Sequence, residues 1–353
     1  MNILMANNFA GIMRFLRTCS RNKFRSHGFL SAGAEFIPRT TTAPEQGKRR
    51  LPALLIILLA FLPGAHAAPA QHTPSIVVSI KPLYSLVAQL TEGITTPSLL
   101  LQQSQSPHHY TLKPSQRRLL AQADIIIRTG PILETFLDKI VRQQSTLLID
   151  AWQAPGLELL NKRGRNGHSP DTDADHTHSA EQTDPHIWLS AANAEAISRY
   201  LARQLAAYTP EHTSTYNNNL QQLLARIREA DHHIRTELKY TQQPFISFHD
   251  AFQYFEKAYG LNHVSSISLD EETGSSLKHL QKITTTIRQQ QIQCLVYQPP
   301  QPALIRSLQQ RTGIRAIALD PLGIDSRQPR EAWFEIMQQL ASGFALCLET
   351  DRP

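Results

Sequence analysis

The chain is poor in cysteine and lacks two common metal-binding patterns. Its 353 residues include three cysteines, Cys19, Cys294 and Cys347. No two of them have C-x-x-C spacing, which argues against a metal site built from thiolates. The pattern H-E-x-x-H, which places two zinc ligands and a general base on one helix, is also absent. There is no internal repeat of fixed period, so a solenoid is not expected.

The N-terminal part of the sequence lacks an apolar run long enough to span a membrane easily. The run at residues 51–62, LPALLIILLAFL, follows the basic segment KRR at 48–50 and leads to AHA at 65–67. Segments of these three kinds in this order are typical of a secretory signal, and the run is short for a transmembrane helix. We therefore predict a signal peptide at residues 49–67, cleaved near Ala67, with an uncleaved anchor as the alternative.

The remaining terminal features follow from that signal. No cysteine comes directly after the apolar run, so a lipid anchor is not expected. Residues 1–48 have no sustained periodicity and are predicted to be a disordered extension, or the product of a start codon assigned too far upstream. In an exported chain, oxidising conditions favour a disulfide between Cys294 and Cys347 over two free thiols.

An excess of positive charge is absent from the part that folds. The formal net charge is +6, but residues 1–67 hold nine of the 35 Lys and Arg and two of the 29 Asp and Glu. The rest carries 26 basic and 27 acidic residues. Nucleic-acid binding needs clustered positive charge on the folded domain, so no nucleic-acid partner is expected.

Short apolar segments alternate with helical patterns on both sides of a long helical stretch. This stretch, residues 210–240, has apolar residues at steps of three, four and seven. Alternation of strands and helices predicts parallel sheets covered by helices. The prediction is an α/β protein of two lobes, each a mainly parallel sheet flanked by helices, joined by one long rigid helix. The predicted bounds are 68–208 for the N-terminal lobe, 209–240 for the linking helix and 241–353 for the C-terminal lobe.

Three histidines lie where apolar, strand-like segments meet loops. His108 follows the strand predicted at 97–101, His186 opens HIWLS at 186–190, which we predict as a strand, and His249 ends FISFH. Asp320 follows another predicted strand. Ligands of open α/β sheets bind beyond the carboxyl ends of strands, and imidazole is the commonest transition-metal ligand. Taken singly, each histidine also suits a surface or structural role, and Asp320 suits a turn before a proline.

A polar loop at residues 162–184 concentrates further histidine and aspartate. We predict disorder from His168 to Asp184, because this part has no apolar residues to anchor it. It is a candidate for a second, weaker metal site, against the alternative of a plain solvated loop. The candidate ligands are His168, Asp171, Asp173, Asp175, His176 and His178.

Several segments together resemble one known family. They are SIKPLYSLV, SPHHYTLKPSQ, ADIIIRTGP, DPHIWLS, FISFHDAFQYFEKAYGL and LDPLG, spread over residues 79–323. The chain resembles the periplasmic zinc-binding components of ATP-binding-cassette importers, within the metal-specific solute-binding proteins. DPHIWLS and FHDAFQYFEKAYG are the most specific of these segments.

The resemblance implies particular roles for the candidate residues. It implies His108, rather than His109, as the first ligand, His186 and His249 as the next two, and Asp320 as an available oxygen donor. It also implies a His-rich loop before the second ligand and a disulfide in the second lobe. Two departures stand out: a proline, Pro107, precedes the first ligand where some relatives have an acidic residue, and QPPQ at 298–301 replaces a common Glu-Pro-Gln.

The ligand set predicts the ion and the function. Three imidazoles with one carboxylate or water suit tetrahedral Zn²⁺, whereas manganese prefers more oxygen donors. Affinity should fall as pH drops through about 6.5, where imidazole takes up a proton. We predict a monomeric periplasmic protein, not an enzyme, that captures Zn²⁺ and delivers it to an inner-membrane ABC permease. The alternatives are a manganese-binding or adhesin-like relative and, less favoured, a secreted zinc hydrolase.

Overall fold

Two four-stranded parallel sheets form the frame of the protein. The computed structural model describes residues 73–102, 106–141, 146–163, 182–268 and 277–348. The first sheet has the order β2-β1-β3-β4 and contains β1 (Ile76–Val78), β2 (Ser98–Leu99), β3 (Ile125–Arg128) and β4 (Leu147–Asp150). The second has the order β6-β5-β7-β8 and contains β5 (Phe245–His249), β6 (His263–Ser268), β7 (Cys294–Tyr297) and β8 (Arg315–Ala318).

The strands are apolar on both faces because helices cover both sides of each sheet. Ile125, Ile126 and Ile127 of β3 are buried in succession, as are Leu295 and Val296 of β7. Continuous apolar runs of this kind are typical of parallel sheets. In each sheet the chain runs to one side after the first strand and then crosses to the other, which opens a crevice at the carboxyl ends of the central strands.

Nine helices are found among the described residues. The first four lie in the N-terminal half: α1 (Lys81–Leu90), α2 (Pro114–Ala121), α3 (Thr135–Val141) and α4 (Ala191–Tyr208). The others are α5 (Thr213–Glu237), α6 (Gln253–Tyr259), α7 (Leu277–Gln289), α8 (Ala303–Thr312) and α9 (Ala332–Leu348). In the part of the chain described, none is long and apolar enough to cross a membrane.

The predicted long helix is α5, which has 25 residues and runs between the two halves. It packs against α1 and α4 on one side and against α9. Its C-terminal part also meets α6, where the Tyr259 hydroxyl donates to Asp231 over 3.0 Å. The predicted α/β class, with two parallel sheets flanked by helices and a long helix, is therefore confirmed. The exact lobe boundaries stay a prediction.

The main hydrophobic core is shared by both halves. A single cluster of buried side chains includes Leu86 of α1, Ile227 of α5 and Trp333 of α9. A smaller cluster, with Ile246 of β5 and Ile287 of α7, lies on the other side of the second sheet. The last helix, α9, contacts α1 and α5 as well as β7 and β8, so it contributes to more than the C-terminal half.

One predicted strand is wrong and one predicted disulfide is present. Residues Ile187–Leu189 form a single 3-10 turn, not a strand, and the following Ser190 caps α4 by accepting from the backbone N–H of Asn193. Cys294 of β7 and Cys347 of α9 are disulfide-bonded, with their Cα atoms 5.4 Å apart. The bond fastens the last helix to the second sheet.

Candidate metal centre

His108 is presented by a short turn that follows β2. The segment Pro107–His109 forms one turn of 3-10 helix, and Pro107 sets its first residue. The hydroxyl of Ser106 accepts a hydrogen bond of 3.3 Å from the backbone N–H of His108. The half-buried imidazole is thus held by the turn on which it sits.

His186 is oriented by the carboxyl group of Asp184. One oxygen of Asp184, Oδ1, accepts from the backbone N–H of His186 at 3.0 Å and lies 2.7 Å from its ring nitrogen Nδ1. Both side chains are buried. With Nδ1 engaged in this way, Nε2 is the nitrogen left for an ion, an arrangement that metal-binding histidines commonly use.

His249 is the last residue of β5, and among the described residues its ring has no hydrogen-bond partner. The side chain is 6% exposed, and within the described ranges neither Nδ1 nor Nε2 meets a donor or acceptor. Buried polar groups are rarely left unsatisfied, because the loss of water is costly. Such an imidazole suggests a ligand that completes it.

These three imidazoles converge. Their ring centroids are 5.6 Å apart for His108 and His186, 6.2 Å for His108 and His249, and 5.7 Å for His186 and His249. One ring nitrogen from each lies within 4.8 Å of the others. Nitrogen ligands that each lie about 2.0–2.1 Å from one zinc ion are closer to one another than 4.8 Å. A small inward movement of the three side chains would therefore complete a zinc site.

Burial keeps two of these imidazoles neutral. Desolvation lowers the pKa of His186 to about 3, with a smaller effect from Lys162. Desolvation, together with the other two imidazoles, lowers the pKa of His249 well below its usual value. Neutral imidazole is the form that binds metal ions. Burial also raises the pKa of Asp184 to about 7, so its contact with the neutral ring of His186 is a hydrogen bond rather than an ion pair.

Asp320 does not join the three imidazoles in this structure. Its Oδ1 accepts from the backbone N–H groups of Leu322 and Gly323 at 2.9 and 3.1 Å, and its Oδ2 accepts from that of Ile324. The carboxylate therefore stabilises the turn that follows β8. This is the turn-forming role that the sequence allowed as the alternative to metal binding.

A second group of side chains lies beside the three imidazoles. Asp250, Glu256 and His263 each place one possible ligand atom within 4.8 Å of the others. Arg163 reaches into this group: its Nη1 donates to Asp250 at 2.8 Å and lies 2.9 Å from Nδ1 of His263, and its Nη2 donates to Glu256. Burial raises the pKa of Asp250 and of Glu256, while Arg163 opposes the rise.

A cavity of about 320 Å³ is lined by the three imidazoles and, from the second group, by Asp250 with its partner Arg163. Its lining residues come from the two halves and from both ends of the polar loop. They are His108, Lys162, Arg163, Asp184, Pro185, His186, His249 and Asp250. The cavity therefore lies between the N-terminal and C-terminal halves.

Sequence reasoning missed the partners of the histidines more than the histidines themselves. Asp184 had a recognisable signal, since an Asp two residues before His186 can accept from its backbone N–H. Arg163 had none: it stands in a polar stretch, and its partners lie 87 to 100 residues further along the chain. The loop candidates His168, Asp171, Asp173, Asp175, His176 and His178 lie outside the described residues.

Known proteins are similar to this chain in sequence and in fold. The family model described as zinc-uptake complex component A, periplasmic, matches residues 76–347. The high-affinity zinc uptake system protein ZnuA of Brucella abortus (strain 2308) is 30% identical over 329 residues, covering 83% of this chain and 98% of that protein. ZnuA of Haemophilus ducreyi is 31% identical over 310 residues, with the same coverage of 83% and 98%.

The fold is similar as well. A crystal structure of ZnuA superposes with a TM-score of 0.67 at 22% identity, covering 79% of this chain and all of that chain. At this identity the likeness concerns the fold alone. The match to the family model, over residues 76–347, includes both sheets, the three histidines and the two cysteines of the disulfide. The chain belongs to the ZnuA family of periplasmic zinc-uptake components.

Proposed function

We propose that the protein captures Zn²⁺ at His108, His186 and His249 and passes it to an inner-membrane ABC permease. The observation that carries the proposal is the buried ring of His249, which has no partner in the described chain although two further imidazoles face it. Relatives named as high-affinity zinc uptake proteins support the same function.

The chemistry of the site favours zinc as the cargo. Three neutral imidazoles and a water molecule make a tetrahedral set that suits zinc. Asp184 fixes the ring of His186, so that little conformational entropy is lost there on binding. Asp320 stays our second candidate for the fourth position, although it would have to give up its backbone hydrogen bonds to serve.

Capture and release are proposed to need only small movements. The long helix α5 and the core it shares with α1 and α9 hold the two halves together. Opening by a wide hinge would expose that core to water. We therefore infer that the ion leaves when side chains around the cavity rearrange as the protein docks on the permease.

We further propose that the protein is a monomeric carrier rather than an enzyme. Zinc hydrolases commonly use a free carboxylate beside the ion as general base. The two carboxylates that line the cavity are engaged, Asp184 by His186 and Asp250 by Arg163. We place the mature protein in the periplasm after cleavage of the signal at residues 49–67.

The polar loop is proposed as an accessory site of lower affinity. Its histidines and aspartates, His168 to His178 in the sequence, supply the ligand types that zinc accepts. Deleting residues 164–181 should lower the number of zinc ions bound per chain without loss of the tight site. One equivalent of zinc both before and after deletion would contradict the accessory site.

The main proposal is tested by His249→Ala. The variant should lose tight zinc binding in a chelator-competition titration, because one of three imidazoles is gone. The matched control is His232→Ala, which removes an exposed imidazole on α5 and should bind as the natural chain does. Unchanged affinity in His249→Ala would overturn the site. Elemental analysis of untagged protein, with zinc and manganese in competition, identifies the cargo.

A further inference from the structure

Arg163 forms a buried ion-pair cluster directly beside the three imidazoles. Its guanidinium reaches Asp250, which directly follows β5, Glu256 of α6 and His263 of β6. The Arg163 side chain is only 15% exposed. The two carboxylates it contacts, those of Asp250 and Glu256, are 7% and 2% exposed. A planar guanidinium held by three groups has a fixed orientation, so it fixes the orientation of its partners too.

The partner that matters for the ion is Asp250. It directly follows His249 in the chain, and both side chains line the same cavity. Yet its carboxyl oxygen lies within 4.8 Å of ligand atoms of Glu256 and His263 and is not part of the group formed by the three imidazoles. The ion pair with Arg163, 2.8 Å long, accounts for that orientation.

A carboxylate released from this ion pair would have a strong alternative partner. A divalent cation at the imidazoles would attract it across a poorly solvated cavity, where charges interact more strongly than in water. The added oxygen ligand would change which ion fits. Carboxylate and water ligands suit manganese, whereas imidazole suits zinc.

We propose that Arg163 is a selectivity-determining residue that holds the Asp250 carboxylate away from the bound ion. Zinc then meets three imidazoles and water, and manganese is denied an oxygen ligand. Arg163 touches no ion and acts by positioning Asp250. The inference rests on the proposed function, because selectivity presupposes an ion bound by the three histidines.

A merely structural role for Arg163 makes a different prediction. Its loss would leave buried carboxylates without a counter-ion, which lowers stability. Looser packing would weaken zinc and manganese binding alike. The ratio of the manganese to the zinc dissociation constant therefore separates the two roles, whereas either affinity alone does not.

The experiment measures that ratio by competition titration with each metal. In Arg163→Ala the ratio should fall at least about tenfold, the usual lower range for changes next to a metal's ligands. The double variant Arg163→Ala/Asp250→Asn should restore the ratio, since it removes the released carboxylate. In Arg163→Lys the ratio should fall less than in Arg163→Ala, since lysine keeps a positive charge beside Asp250. A ratio unchanged in folded Arg163→Ala, or a fall that Asp250→Asn does not reverse, overturns the inference.

Two controls remove a positive charge without releasing Asp250. Lys162→Ala removes the neighbouring cation that lines the cavity, so both affinities should move in the same direction and the ratio should stay constant. Arg228→Ala breaks an ion pair on the surface between Arg228 of α5 and Glu195 of α4 and should alter neither affinity. A fall of the ratio in Lys162→Ala equal to that in Arg163→Ala would mean that net charge, not Asp250, sets selectivity.

Two further measurements cover a loss of folding. If circular dichroism shows that Arg163→Ala is unfolded, Arg163→Gln replaces it, with the same expected fall and the same contrary result. A crystal structure of the zinc-loaded natural protein needs no variant: Asp250 bonded to Arg163 supports the inference, and Asp250 bonded to zinc overturns it. Failure of the natural chain to bind zinc would refute the proposed function instead.

Discussion

The indole nitrogen of Trp188 donates a hydrogen bond of 2.8 Å to the carbonyl oxygen of Pro321. Trp188 lies two residues after His186, and its ring centroid is 5.3 Å from that of the imidazole. Pro321 follows Asp320 in the turn after β8. One fully buried side chain thus packs on a candidate ligand from the N-terminal half and bonds to the backbone of the C-terminal half.

Replacing Trp188 by Phe should therefore weaken both stability and zinc binding. The variant leaves the Pro321 carbonyl without its donor, which costs about 1–3 kcal/mol in free energy of unfolding. Less support for the ring of His186 should lower zinc affinity. Urea unfolding of the metal-free protein measures the first effect, and chelator competition measures the second.

The matched control is Trp333→Phe. Trp333 is also fully buried, and its Nε1 donates to the carbonyl oxygen of Trp188 over 2.8 Å. Its loss should lower stability by a similar amount, yet its ring does not lie against His186 within the described chain. Equal losses of zinc affinity in the two variants would show that general loosening, and not contact with the ligand, is responsible.

Asp320→Asn should affect stability more than zinc binding. In the variant, an NH₂ group replaces one carboxylate oxygen that accepts from backbone N–H groups, so the turn after β8 loses hydrogen bonds. The free energy of unfolding should fall by about 1–3 kcal/mol. Thermal unfolding and zinc titration separate the effects, with the exposed Asp325→Asn as control. A loss of zinc affinity as large as that of His249→Ala, in a folded variant, would make Asp320 a ligand.

The pH dependence of zinc binding should be shallower than the sequence suggested. Three ordinary imidazoles would lose affinity up to about a thousandfold per pH unit below about 6.5, since each takes up a proton. Burial instead lowers the pKa of His186 to about 3 and that of His249 well below its usual value. A lowered pKa means that the ring stays neutral as pH falls, so neither competes for protons between pH 7 and about 5.

Chelator competition between pH 7 and about 5 measures this slope. We expect no proton release from His186 or His249 on zinc binding in that range, so the slope should fall short of three protons. Calorimetry in buffers of different ionisation enthalpy counts the protons directly. Three protons released per zinc at the acid end would contradict the neutral state of the two buried rings.

Removal of the disulfide should lower stability but not affinity. The bond closes a loop between residues 53 positions apart, Cys294 and Cys347, and such bonds contribute about 2–4 kcal/mol. Neither residue lines the cavity. The variant Cys294→Ala/Cys347→Ala should unfold at lower urea and bind zinc as before. Addition of a reductant to the natural chain should have the same effect, and a loss of affinity in either case would contradict this.

The larger features of the fold could be predicted because their signals are local. Apolar strand segments and the periodicity of α5 are visible in the sequence, and strand ends placed His249 where a crevice opens. HIWLS was misread because a short apolar run does not distinguish a strand from a buried helical turn. Here Ile187, Trp188 and Leu189 are all buried, so the run shows no alternation at all.

The partners of the candidate ligands could not be predicted, because they depend on packing between distant segments. Arg163 meets Asp250 and Glu256 only after both halves have folded together. Whether Asp320 binds the ion or stabilises a turn depends on the course of the backbone after β8. Three backbone N–H groups of that turn donate to the Asp320 carboxylate, an arrangement that the sequence alone does not reveal.

The core shared by α1, α5 and α9 has a consequence for the lifetime of the protein. Because this core is continuous through both halves, neither can unfold alone without exposing the other's apolar surface. Bound ion therefore stabilises the whole molecule by an amount that grows with the free ion concentration. Proteases cleave chains that have opened, so metal starvation should shorten the survival of the very protein that scavenges the metal.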